Sequence, residues 1–227
     1  MRVLAIDTAL EACSAALLDT MQGSLLASLS LPMTRGHAES LMPVIDTVMR
    51  DSGLSFSDLD RIAVTTGPGS FTGLRVGIAA ARGIGLAAGK PVVGLTTLAA
   101  LAAPLIAADD RLPVTAAIDA RHDHVYVQIF GPGGRTVLSA RIIAVADAVR
   151  AAIAMDKMRL VGSGAALMAA AWPPAVPLHS VDERRAADIG WVARLGAASD
   201  PQQSAPRPFY LRAPDAQPQD AAQLPRR

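Results

Sequence analysis

The tripeptide Ala5-Ile6-Asp7 recurs as Ala117-Ile118-Asp119, and each copy opens a similar string of elements. In the first half, residues 2–7, 13–19 and 24–31 are short apolar runs separated by turn formers such as Gly23, the signature of strands. Residues 37–51 switch to a helical period: Leu41, Val44, Ile45, Val48 and Met49 share one face, and Gly53 stands at the C-cap. Pro43 is expected to bend this helix or weaken its first turns. A strand at 61–66, a helix at 70–88, a strand at 92–95 and a helix at 98–107 complete the half. The second half repeats the order, with strands at 114–119, 125–130 and 135–143, a helix at 144–154, a strand at 159–161 and a helix at 165–171. A strand at 176–179 and an amphipathic helix at 184–198 follow. Three letters alone are coincidence; three letters at the same place in two matching strings are an internal duplication. The expected organisation is a first unit of residues 1–112, a second of 113–200, and a Pro- and Gln-rich tail of 201–227 lacking regular structure apart from Phe209-Tyr210-Leu211.

Three antiparallel strands followed by alternating helices and strands, twice over, is the pattern of the two-lobed actin-like ATPases, whose nucleotide lies between the lobes. The expected fold is therefore α/β and actin-like (ribonuclease H-like), with duplicated βββαβαβα lobes, the second reduced. Half of the residues are apolar (51%) and 18% are charged, as in a folded globular chain. The net charge of +1 gives no general attraction to nucleic acid or to an anionic membrane, though it leaves room for a local basic patch. Cys13 is the single cysteine, which rules out an intrachain disulfide or a cysteine zinc site and points to a small core residue. The chain enters a strand with no basic leader, and the apolar stretch 76–105 is broken by Arg82, Lys90, Pro91 and glycines. A soluble, cytoplasmic protein is expected, with no membrane partner.

Gly67-Pro68-Gly69-Ser70-Phe71-Thr72-Gly73 follows a strand and opens a helix, which invites a nucleotide reading. The phosphate loop of P-loop enzymes needs Gly-Lys-Ser/Thr after its spacer, and Lys90 is too far along. The dinucleotide fingerprint wants a glycine where Thr72 stands. An anion on the free amides at Gly69 is left as the lesser alternative to a tight structural turn. Beyond the turn, Gly73, Gly77, Ala81, Gly85 and Gly89 recur every four residues along one face. A glycine inside a helix costs about 0.5–1 kcal/mol relative to alanine, so Gly77, Gly83 and Gly85 need a compensating close neighbour. Spacing leaves open whether that neighbour is the protein's own sheet or a second subunit.

Catalytic constellations are sparse. His122-Asp123-His124 supplies two imidazoles on one strand face, too few for a metal site, and reads as a solvated loop. His37 begins a helix and His179 stands alone. Asp7 ends a strand beside the expected cleft, but Ala9-Leu10-Glu11 follows where a phosphate-binding turn prefers glycine.

Taken together, residues 5–9, the run from Gly67 to Gly77, Ala117-Ile118-Asp119-Ala120-Arg121 and the late Phe209-Tyr210-Leu211-Arg212 closely resemble the TsaB (YeaZ) family. That family is the bacterial partner subunit in making the threonylcarbamoyl modification of adenosine 37 in tRNA. The resemblance implies a non-catalytic chain that supports the catalytic paralogue TsaD together with the ATPase TsaE, and that forms a homodimer when alone. ATP and metal would belong to those partners, this subunit would hold no cofactor, and tRNA would be met only through the complex. TsaD binds its metal through two histidines, and the aligned positions here are Thr97 and Leu101, neither of which can replace an imidazole. Family members dock through two helices of the first lobe, here 37–51 and 70–88. Carried onto this chain, the interface comprises His37, Leu41, Ile45, Gly69, Phe71, Gly73, Val76, Gly77, Ala80, Ala81 and Gly85. Gly77→Leu or Ala81→Leu is then expected to leave a folded chain that no longer binds TsaD. A vestigial nucleotide site would comprise Asp7, Thr8, Asp119, Gly162 and Gly164, with no metal. The competing reading is an enzyme: a residual actin-like ATPase using Asp7 and Asp119, or a metallopeptidase-like hydrolase.

Overall fold

The computed structural model describes residues 1–212. β1 (Arg2–Asp7), β2 (Ala12–Asp19) and β3 (Ser24–Pro32) form an antiparallel meander, and β4 (Arg61–Gly67) and β5 (Val92–Thr96) add in parallel beyond β1. The order is β3-β2-β1-β4-β5. The second sheet repeats it as β8-β7-β6-β9-β10. Its strands are β6 (Val114–Asp119), β7 (His124–Phe130), β8 (Thr136–Ala144), β9 (Met158–Val161) and β10 (Leu178–Asp182). Both sheets have the actin-like topology. β2 is buried at all eight residues, which is why Ala12–Asp19 is mostly apolar, broken only by Ser14 and Asp19, instead of alternating.

Helices α1 (His37–Ser52) and α2 (Phe71–Ala88) cover one face of the first sheet, packing Leu41, Ile45, Leu74 and Ile78 on Leu4, Ile6 and Leu17. α1 runs through Pro43 and ends where expected, with Gly53 in the left-handed region (φ 69°) donating to Arg50. α4 (Val145–Ala152) and α5 (Ala165–Ala170) cover the outer face of the second sheet.

The middle layer departs from the sequence expectation. α6 (Ile189–Ala198), assigned by sequence to the second unit, packs Val192 and Ala193 on Val3, Ala5, Ala63 and Val93 of the first sheet. α3 (Thr97–Ala108), assigned to the first unit, packs Leu98, Leu101 and Ala102 on Val114, Ala116, Ile118 and Val161 of the second. The two helices also touch each other. Each sheet would otherwise leave its inner apolar face bare, and the helix that ends one unit lies where it can cover the other. Two arginines hold the exchange. Arg61, at the start of β4, donates to the carbonyls of Gly196, Ala197 and Ser199 at the end of α6. Arg159, in β9, does the same for Leu105 in the last turn of α3 and for Asp109 and Leu112 just beyond it. Cations at these ends satisfy carbonyls that have no partner within the helix and oppose its dipole.

Smaller differences have local causes. The last helix begins at Ile189, not 184, because the Asp188 carboxylate accepts from the backbone N–H of Gly190 (2.8 Å) and Trp191 (3.3 Å). The final strand lies at Leu178–Asp182 instead of 176–179, and α4 stops at Ala152. The first part of the tail turns back along the first sheet: Gly94 N–H donates to Ser204 O at 2.7 Å and Phe209 N–H to Thr66 O at 2.8 Å. Residues 213–227 of the expected tail lie outside the described residues. Among those described, no helix is long and apolar enough to cross a membrane.

Candidate functional site

The C-terminal ends of β1 and β6 face a cleft between the lobes of about 560 Å³, with Ala9, Gly69, Ser70, Asp119, Arg121 and Ser163 among its lining. The duplication extends to its walls. Gly67 (φ 119°) and Gly162 (φ 107°) end equivalent strands in a backbone region that L side chains rarely adopt. Two residues on, Gly69 and Gly164 lie so close to the neighbouring strand that a Cβ on Gly69 would collide with Ala9 O, and one on Gly164 would crowd Ala117. Ser70 N–H donates to Ala9 O at 2.8 Å and Gly164 N–H to Ala117 O at 3.0 Å. These glycines serve strand-to-helix turns.

The two aspartates ending β1 and β6 have diverged. Asp7 is fully buried; Oδ1 accepts from Thr65 Oγ1 (2.5 Å) and Ala9 N–H (3.0 Å), while Oδ2 has no partner among the described residues. Burial raises its pKa, against the lowering effects of the Thr65 and Ala9 hydrogen bonds and of His37. Thr8 is also buried, and its hydroxyl donates to Gly73 O at 2.7 Å. Asp119 lines the cleft and accepts from Arg121 N–H at 2.7 Å. The five residues of the expected nucleotide site are therefore not one site: Asp119 faces the cleft, whereas Asp7 and Thr8 are sealed beneath it. A cation held between two aspartates does not fit this arrangement, because the second carboxylate in the cleft wall, Glu11, is engaged by Arg185 at 3.0 Å.

The remaining polar candidates are accounted for locally. His37 is buried against the cleft with Nε2 3.1 Å from Leu10 O, which corrects its assignment to a partner surface. Arg121, His122 and Asp123 form a left-handed turn (φ 65°, 51° and 56°), and His124 Nδ1 lies 2.6 Å from His122 O. Among the described residues no group of three His, Cys, Asp or Glu side chains could hold a metal. Thr97 and Leu101 are fully buried, Leu101 in the core between α3 and the second sheet. Burial, then the charge of Asp7, pushes the Cys13 thiol up to about 11, so it is inert at neutral pH.

The glycine face of α2 points inward, which overturns its expected docking role. A Cβ on Gly73 would collide with Thr8 O, one on Gly77 with the Thr8 hydroxyl, and one on Gly85 with Val92. Ala81, Leu41 and Ile45 are buried in the same core, and Val76 and Ala80 pack at its margin. The close neighbour the glycines require is the end of β1 and the start of β5. What α2 shows to the outside is a different set. Gly83, Ile84, Ala87 and Ala88, with Met42, Phe56 and Ser57, line an apolar groove of about 440 Å³ between α1 and α2. Leu86, 87% exposed, lines the adjoining hollow with Arg82, Lys90 and Pro206. The sequence held a signal for this face: Met42, Gly83 and Leu86 are small or apolar residues lying off the buried stripe of their helices, where polar residues are usual.

A family model described as TsaD: tRNA N6-adenosine threonylcarbamoyltransferase matches residues 31–174. The tRNA threonylcarbamoyladenosine biosynthesis protein TsaB of Escherichia coli (strain K12) is 42% identical over 126 residues, 56% of this chain and 53% of that protein. The chain thus matches about half the length of this curated relative (53%). An uncharacterized protein of Mycobacterium tuberculosis (strain ATCC 25618 / H37Rv) is 37% identical over 219 residues, 95% of this chain and 94% of that one. Among solved structures, YeaZ from Pseudomonas aeruginosa superposes with a TM-score of 0.75 at 30% identity, covering 92% of this chain and 99% of that one. Near-complete coverage of that structure, together with the TsaB-named relatives, shows that this chain belongs to the TsaB (YeaZ) family.

Proposed function

We propose that this chain is a non-catalytic partner subunit in forming threonylcarbamoyladenosine on tRNA, supporting a TsaD-type transferase together with a TsaE-type ATPase in the cytoplasm. The observation that carries the non-catalytic reading is the sealed Asp7. Of the duplicated pair, one carboxylate is withdrawn from the cleft and its Oδ2 has no partner among the described residues, so the lobes do not present the two opposed acids that nucleotide chemistry would use. Nucleotide and metal are then held by the partners. The groove between α1 and α2 is the surface offered to the transferase, or to a second copy of this chain when it is alone. Its apolar lining is what a helix–helix interface buries.

Reconstituting tRNA modification from purified transferase and ATPase, with and without this chain, tests the reading. Modification is expected to depend on the chain. Undiminished modification without it overturns the proposal. Nucleotide hydrolysis by the isolated chain, abolished by Asp119→Asn, would favour an enzyme instead.

A further inference from the structure

Between Asp60 and Asp109 the chain has no acidic residue, yet it carries Arg61, Arg75, Arg82 and Lys90. Residues 201–212 add Arg207 and Arg212, again without an acid. The fold lays these two segments side by side. Arg75 Nε donates to Tyr210 OH at 3.2 Å, and Arg82 and Lys90 border the same hollow as Pro206. Arg75 and Arg82 both lie on the exposed side of α2, seven residues and so about 10 Å apart. Elsewhere Arg50, Arg111, Arg150, Arg184 and Arg185 each pair with an acid, whereas the exposed Arg35, Arg121, Arg135, Arg141 and Arg194 have no salt bridge among the described residues. What sets the α2 strip apart is the absence of any acid from both of its segments. Arg75, Arg82 and Arg207 have no salt bridge among the described residues.

The same strip gathers aromatic side chains. The chain has four Phe, two Trp and two Tyr, and three of these eight, Phe71, Phe209 and Tyr210, are exposed together at 36–41%. Phe71 and Tyr210 stack with ring centroids 5.3 Å apart, and the Arg75 guanidinium lies 3.7 Å from the Phe71 centroid. A protein this poor in aromatics gains nothing for its own core from leaving them in water. An unneutralised strip of arginines tracks a phosphate backbone, and exposed rings and guanidinium planes stack on unpaired bases. A net charge of +1 conceals this because the charge is segregated, not absent. The apolar groove proposed for the transferase opens on the α1 side of α2 and adjoins this strip at Gly83.

We infer that the exposed side of α2 and the returning segment 204–212 form a binding face for single-stranded RNA. That the RNA is a tRNA loop rests on the function proposed above. It departs from the expectation that tRNA is met only through the complex.

Binding of fluorescently labelled unmodified tRNA to the full chain, followed by anisotropy between about 50 and 200 mM salt, tests the inference. Arg82→Gln/Arg207→Gln removes two side chains that make no hydrogen bond or salt bridge among the described residues. It is expected to weaken binding and to flatten the log–log salt dependence by about 1.5. Tyr210→Leu is expected to weaken binding about 5-fold or more with the slope unchanged. Arg141→Gln, on the second sheet, should change neither. Wild-type chain that does not bind, or variants that bind with unaltered affinity and slope, overturn the RNA face. So does loss of transferase binding in the variants with tRNA binding intact, which would make the strip a protein-docking surface. Tight tRNA binding by a chain that reconstitution shows to be dispensable would sink the proposed function and leave the RNA face standing.

Discussion

Two glycines of α2 sit six residues apart and do opposite things. At Gly77 the missing side chain is a contact: Thr8 occupies the space a Cβ would need. At Gly83 it is a vacancy, with no heavy atom within 4 Å of a built Cβ. The same residue type in the same helix therefore marks an intramolecular seam on one face and an open groove wall on the other. Four-residue spacing identifies a stripe but carries no information about which side of the helix meets the sheet. The buried apolar residues Leu74 and Ile78 share the inner face with Gly77, and they decide it.

The comparison breaks first at Gly77. Gly77→Leu is expected to cost about 3 kcal/mol or more, because the leucine must displace the end of β1. Urea denaturation would measure this; a variant of near wild-type stability would mean that the helix can move off the sheet, and would restore the glycine stripe as a docking surface. Ala81→Leu should fail in the same way, since Ala81 is fully buried.

Beneath that inner face, Asp7 gives an intermediate effect that depends on pH. Burial holds its folded-state pKa above 3.8, so the unfolded chain loses the proton first as pH rises. Its stabilising contribution is complete below pH 3.8 and is lost as pH climbs to the raised folded value. Asp7→Asn removes the titration and roughly keeps the shape. Relative to wild type, the variant should gain stability progressively through that window and then hold a constant advantage. A difference independent of pH would show that the carboxylate finds a compensating partner.

The smallest folding effect is expected on the outer face, and it has the opposite sign. Gly83→Leu places a side chain in open space and removes a helix-interior glycine, so stability should stay level or rise by about 0.5–1 kcal/mol. The same change fills the wall of the groove. Co-purification with the transferase should fall sharply although the chain is better folded. Retained binding would move the docking surface elsewhere.

Much of the fold was legible because the signals are local. The order of ten strands and six α-helices among the described residues follows from apolar runs, turn formers and the repeated Ala-Ile-Asp strand end, which needs no long-range knowledge. Element boundaries failed where one side chain chose them, as Asp188 does for α6. α1 and α2 do form the outer layer on the first sheet, but the residues expected to meet a partner on them are mostly those that the sheet covers. Arg61 and Arg159 gave no sign of their roles, because the carbonyls they hold belong to segments about 135 and 50 residues away.

What the sequence determined by itself was the duplication, the α/β element order and membership of a motif family. Each is written in neighbouring residues or in their direct repetition. What the tertiary structure decided was sidedness. It exchanged α3 and α6 between the sheets, sealed Asp7 while leaving Asp119 at the cleft, and turned the glycines of α2 inward. It also gathered, from an almost neutral chain, a strip of arginines and aromatics contributed by two segments more than a hundred residues apart. A helix or strand has a fixed period, but which of its faces is covered depends on elements that the local sequence does not contain.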